Sequence, residues 1–161
     1  MKKRILLAII ISILAIAACG CSSDPQNFSS NELTVTLTKE FKEKTVSGFD
    51  VYISSDDVVF SAIEETSDEL ESSGYEIASL NDYCLDIAEL NSTPKSSIVK
   101  RNDYYYFTST KTVSGGNYTY VHCMFEGSSS YWICEFVCKT KLYDVYKDNI
   151  FKWADTIQIS K

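Results

Sequence analysis

One histidine, six cysteines and a short acidic run are the groups in this 161-residue chain best placed to do chemistry. His122 alternates onto a strand face beside Glu135, and a His–Glu pair can orient an imidazole next to a nucleophile. No Gly-x-Ser-x-Gly elbow or cysteine-protease segment accompanies it, and the nearby cysteines fall on the opposite strand face. No catalytic residue is therefore expected, and His122 reads as a surface or interface histidine. Cys134 and Cys138 share a strand face but lie roughly 13 Å apart at ~3.3 Å per residue, too far for one zinc. Cys123 and Cys134 fit better as cross-strand neighbours, yet two thiols without a histidine fall short of a four-ligand site. Cys84, Cys123, Cys134 and Cys138 are left as core thiols or disulfide partners, with the pairing open. Glu64, Glu65, Asp68, Glu69 and Glu71 lack the regular spacing and glycine of a calcium loop and read as a solvated acidic loop. No metal and no cofactor are expected.

The remaining two cysteines belong to a different chemistry. Met1-Lys-Lys-Arg4 is a basic start, and the 14 residues Ile5 to Ala18 are apolar. That run is shorter than the ~20 residues a spanning helix needs, so a cleaved export signal is the better reading. Ile16-Ala17-Ala18-Cys19 resembles a lipobox, whose cysteine is acylated and becomes the new N-terminus; Cys21 is the alternative. Residues 1–18 are thus the expected lipoprotein signal peptide. Residues 19–32 are the lipidated cysteine and a flexible tether, since Ser22 to Glu32 is polar, turn-rich and without periodicity. The expected location is the extracytoplasmic face of the cell membrane, held by an N-terminal diacylglyceryl lipid. Two chains anchor firmly where one binds only marginally.

Residues 33–161 suit a single domain with one core. Loss of Lys2, Lys3 and Arg4 with the signal takes the formal charge from −7 to −10. An acidic body of this kind disfavours nucleic acid and is repelled by anionic headgroups.

These groups must be positioned by a mixed set of elements. Leu33, Val35 and Leu37 alternate with threonines, the period of a half-buried strand. Val51–Ile53 and Val58–Ile63 follow as strands around an Asp56-Asp57 turn, and 64–74 reads as a loop or poor helix. Ser79 and Asp82 form a capping-box-like start for an amphipathic helix over 79–91. Ile98-Val99 opens a run of strands over 104–113, 118–125 and 131–138, joined by Gly- and Ser-rich turns. Burial sets the register of the last hairpin: Cys123 opposite Cys134, Phe125 opposite Trp132, Val121 opposite Phe136, Thr119 opposite Cys138. A second amphipathic helix runs from Leu142 to Trp153, and Thr156–Ile159 closes the chain as a strand. The class is α+β: a mainly antiparallel sheet flanked by two amphipathic helices.

Leu33-Thr-Val-Thr-Leu-Thr-Lys-Glu-Phe41, the capped helix from Ser79, the aromatic hairpins and the ending Trp153-Ala-Asp-Thr-Ile-Gln-Ile159 together resemble PsbP-like domains, which small bacterial lipoproteins often carry. The resemblance spans about 33 to 159 and rests on element order. It implies a PsbP-like sandwich and brings no shared catalytic constellation. Thr38 stands where such domains commonly have proline.

Eleven tyrosines are the feature most suggestive of recognition. Tyr104, Tyr106, Tyr118, Tyr120 and Tyr131, with His122, crowd adjacent strands and form the expected interaction surface. The expected function is a non-catalytic, membrane-anchored binding module for an envelope protein or component. The alternative is a small-ligand capture protein with a pocket between sheet and helix.

Overall fold

The computed structural model describes residues 24–160. The signal segment, Cys19 and Cys21 lie outside the described residues. Strands β1 (Pro25–Ser30), β2 (Leu33–Thr38), β3 (Lys42–Glu43), β4 (Val51–Ser54) and β5 (Val58–Thr66) are followed by helices α1 (Ser67–Ser72) and α2 (Leu80–Leu90). Then come β6 (Val99–Arg101), β7 (Tyr104–Val113), β8 (Gly116–Glu126), β9 (Ser130–Lys139), helix α3 (Tyr143–Ala154) and β10 (Gln158–Ile159). A three-stranded sheet, β1-β2-β10, packs on a seven-stranded sheet of order β3-β4-β5-β9-β8-β7-β6, and every pairing is antiparallel. This is the α+β, mainly antiparallel architecture read from the sequence.

Alternation along β8 and β9 gives the large sheet two apolar faces. Val121, Cys123, Phe125, Trp132, Cys134 and Phe136 meet Leu33, Val35 and Leu37 of the small sheet and Ile150, Trp153 and Ala154 of α3. Met124 and Phe107, on the other face, meet Tyr83, Cys84, Ile87 and Ala88 of α2. Cys123 pairs with Cys134, Phe125 with Trp132, Val121 with Phe136 and Thr119 with Cys138, as burial required. Ser79 caps α2, its Oγ accepting from the Asp82 amide at 3.2 Å.

Two expectations need correction. Pro25–Ser30 is not tether but strand, paired along its length with β2 from Pro25↔Thr38 to Ser30↔Leu33. Its composition hid it because only Phe28 is buried; backbone bonding, indifferent to side-chain polarity, holds the rest. The folded part therefore begins by residue 25. The acidic stretch after Glu65 contains a third helix, α1, started by a full capping box. Glu69 N–H donates to Thr66 Oγ1 at 3.3 Å and Thr66 N–H donates to Glu69 Oε2 at 3.1 Å.

Candidate functional site

The tyrosines do not form the exposed patch expected of them. Tyr104 is 2 % exposed, Tyr120 3 % and Tyr131 9 %, while Tyr106 and Tyr118 are half-buried. Tyr104 stacks on Phe125 with ring centroids 4.8 Å apart, and its hydroxyl donates to Asp155 Oδ1 at 3.0 Å. Asp155 also accepts a two-pronged bond from Arg101, Nε at 2.8 Å and Nη2 at 2.6 Å. Those bonds from Arg101 hold the Asp155 carboxyl below its ordinary range despite partial burial. The cluster locks the β6–β7 hairpin to the end of α3.

His122 is likewise not at the surface: its side chain is 0 % exposed. The ring lies between Phe107, at 4.5 Å, and Tyr120, at 5.8 Å. Nδ1 stands 2.6 Å from Glu135 Oε1, off the line of a straight hydrogen bond, and Nε2 is 2.8 Å from Ser109 Oγ. Sequence reasoning found the His122–Glu135 pair and missed Ser109, which sits diagonally across β7 with no local motif to mark it. The row ties three neighbouring strands together through the sheet's α2 face. Burial pushes the Glu135 carboxyl up, but the His122 contact and the nearby Lys111 ammonium outweigh it and leave the group below its ordinary range.

Cys84, Cys123, Cys134 and Cys138 are buried free thiols. Burial raises the Cys84 thiol to about 12, and burial with the Asp57 charge raises Cys138 to about 11, so neither forms thiolate near neutrality. Among the described residues no three His, Cys, Asp or Glu side chains converge to hold a metal ion.

Among the described residues a groove of about 720 Å³, able to accept a ligand, forms where α1, the segment after it and the start of β9 meet. Leu70, Ile77 and the Tyr131 ring supply apolar surface, Tyr75 a further ring, and Glu71 and Glu76 the charge. Gly74, at φ +84°, turns the chain out of α1 so that 75–78 can form a wall. Tyr131 is braced from beneath by Tyr83, stacked at 4.7 Å and 20°, whose hydroxyl donates to Glu65.

The electrostatics of this region are one-signed. From Thr45 to Pro94 the chain has twelve Asp and Glu and no Lys or Arg. Burial first, then the Glu126 and Asp82 carboxylates, push the Tyr131 phenol up. Burial raises Glu65 against the lowering bond from Tyr83, and Glu69 adds to the rise. Burial is the main cause of both shifts, and the carboxylates that add to it, with Glu71 and Glu76, give the groove's surroundings a negative charge that suits a cation carrying an apolar stem. The sequence showed the acidic run. It gave no sign of the concavity, which arises from packing α1 against a strand sixty residues further along.

The architecture has counterparts among solved structures. The solution structure of cyanobacterial PsbP (CyanoP) from Synechocystis sp. PCC 6803 aligns over 89 % of this chain and 98 % of its own, with TM-score 0.51 and 11 % identity. A crystal structure of a Bacteroides thetaiotaomicron protein aligns over 84 % of this chain and 48 % of its own, with TM-score 0.51 and 13 % identity. The chain carries a PsbP-like fold. No protein-family description matches the sequence, and no curated protein matches it either. At these identities the likeness speaks for the fold alone.

Proposed function

We propose that this protein is a lipid-anchored binding module of the bacterial envelope whose groove takes a primary ammonium group presented by an envelope component. The groove carries the reading: aromatic and aliphatic walls with Glu71 and Glu76 at its side, in a 50-residue region from Thr45 to Pro94 without a cationic side chain. The basic start, apolar run and Cys19 support the anchor. Burial of Tyr104, Tyr120 and His122 takes them off the surface, which favours this groove over the strands as the interaction face. A non-catalytic role is supported by thiols held protonated and by a His122 ring sealed between two aromatic rings.

The same ammonium chemistry comes from a lysine-bearing protein segment or from a free polyamine, and the groove favours the first because it is open along the surface. The test titrates the full chain in detergent with tetralysine, with spermidine and with fully acetylated tetralysine. Tetralysine binding that weakens with salt and falls about fivefold in Glu71→Gln/Glu76→Gln supports the reading, two partly exposed ion pairs being lost. Spermidine bound more tightly than the peptide moves the assignment to small-molecule capture. Equal binding of the acetylated peptide overturns it.

A further inference from the structure

β7 reaches beyond its outer neighbour. β6 pairs only with Tyr104, Tyr105 and Tyr106, leaving Phe107 to Val113 at the edge of the large sheet. The two-residue turn Ser114-Gly115, with φ of 48° and 79°, closes β7 on β8 at Val113↔Gly116. In such a hairpin the closing pair is hydrogen-bonded, so odd-numbered residues of β7 point their backbone groups at β8 and even-numbered ones point outward. Tyr104 and Tyr106 spend theirs on β6. Thr108, Thr110 and Thr112 have no backbone or side-chain partner for theirs among the described residues. All three side chains are exposed. Unpaired edges of this kind are templates for strand addition.

We propose that two copies of this chain join through β7, antiparallel and centred on Thr110. Three features of the edge select a second copy as its occupant. Register is the first: centring on Thr110 places Thr110 opposite itself and Thr108 opposite Thr112, all hydrogen-bonded pairs with matched threonine side chains, giving about six backbone bonds. It also uses the whole free length, with Phe107 opposite Val113, and keeps the two Lys111 ammonium groups opposite Ser109 rather than each other. Charge is the second. In an acidic protein, Tyr104 to Phe125 contains no Asp or Glu, so two acidic bodies meet there without facing carboxylates. Geometry is the third. A continuous antiparallel sheet has its two-fold axis perpendicular to the sheet, which sets both three-stranded layers, and with them both β1 strands, on one side. Two chains anchored through their N-termini in one bilayer can therefore pair.

The test is cross-linking of the full chain in detergent under mild oxidation, with the unsubstituted chain as background for Cys19 and Cys21. Thr110→Cys forms covalent dimer well above background, because position 110 faces itself within disulfide reach. Thr108→Cys alone does not, its two copies standing roughly 13 Å apart along the strands, whereas Thr108→Cys mixed with Thr112→Cys does. Light scattering gives twice the protein mass for the unsubstituted chain and the monomer mass for Thr110→Pro, an edge substitution that leaves β7–β8 bonding intact. Equal cross-linking at 108 and 110, a monomeric unsubstituted chain, or a Thr110→Cys adduct with a different protein overturns the proposal.

Discussion

Glu135 anchors a row of polar groups on the α2 face of the sheet. Its carboxylate faces His122 at 2.6 Å, the imidazole reaches Ser109 at 2.8 Å, and Lys111 bonds Asn91 Oδ1 at 2.8 Å where α2 ends. Glu135→Gln removes the carboxylate charge that His122 and the Lys111 ammonium face, and is expected to destabilise the fold by about 1–3 kcal/mol at neutral pH. A carboxyl held below its unfolded value binds its proton less readily in the native protein. It adds stability above its ordinary value of 4.5 and loses that contribution as pH falls through and below it. Denaturant unfolding from pH 7 to 3 should therefore show a smaller acid loss for Glu135→Gln than for the unsubstituted protein. An identical acid limb in the two would remove Glu135 from the account.

Helix α1 shows how a small element controls a site. It has six residues, too few to hold itself without its caps. Thr66→Ala removes the bonds Thr66 Oγ1 makes with Glu69, leaving only the backbone half of the exchange, and is expected to cost about 1 kcal/mol. Because α1 is one wall of the groove, tetralysine affinity should fall while the β-sandwich melts in a single transition. Calorimetry and titration on the same variant check both, and unchanged affinity would mean that the groove does not need its α1 wall. Elements of this length also mark the limit of what the chain reveals in advance. The β8–β9 register was legible because slipping it by one residue would put His122 and Glu135 among Phe125, Trp132 and Phe136. Helix α2 was legible because Ser79 precedes a clear amphipathic period. β1 was not, since its order comes from backbone bonds to β2 and a single buried phenylalanine. α1 left one local signal, the Thr66-x-x-Glu69 box, in a run that otherwise reads as solvated acid. The tyrosines misled because strand alternation distributes them over both faces: Tyr104 turns to Phe125 and Asp155, Tyr120 to His122. Ser109 and the groove depend on which strands and helices become neighbours, a long-range outcome no window of sequence contains.

At the scale of the whole molecule, the early start of the fold sets how closely the proposed anchor would hold the body. With β1 beginning at Pro25, five residues lie between it and Cys19, six chain steps with a reach of at most about 20 Å. A lipid on Cys19 would hold the β1-β2-β10 layer nearest the bilayer, and paired copies would then meet at the raised local concentration that a membrane surface imposes. Two predictions follow from that geometry and separate cleanly. Replacing Cys19 with Ala should abolish palmitate labelling and leave an unprocessed precursor; labelling that persists would assign the lipid to Cys21. Inserting a Gly-Ser spacer of about 20 residues between Ser22 and Asp24 should keep labelling and, by lengthening the reach to that of a flexible coil, reduce dimer cross-linking at Thr110→Cys on intact membranes. Since the spacer leaves the β7 edge untouched, cross-linking in detergent at matched protein concentration should be unchanged. A fall in detergent as well would mean that residues before β1 contribute to the contact itself, and no fall on membranes would mean that pairing draws nothing from the short anchor.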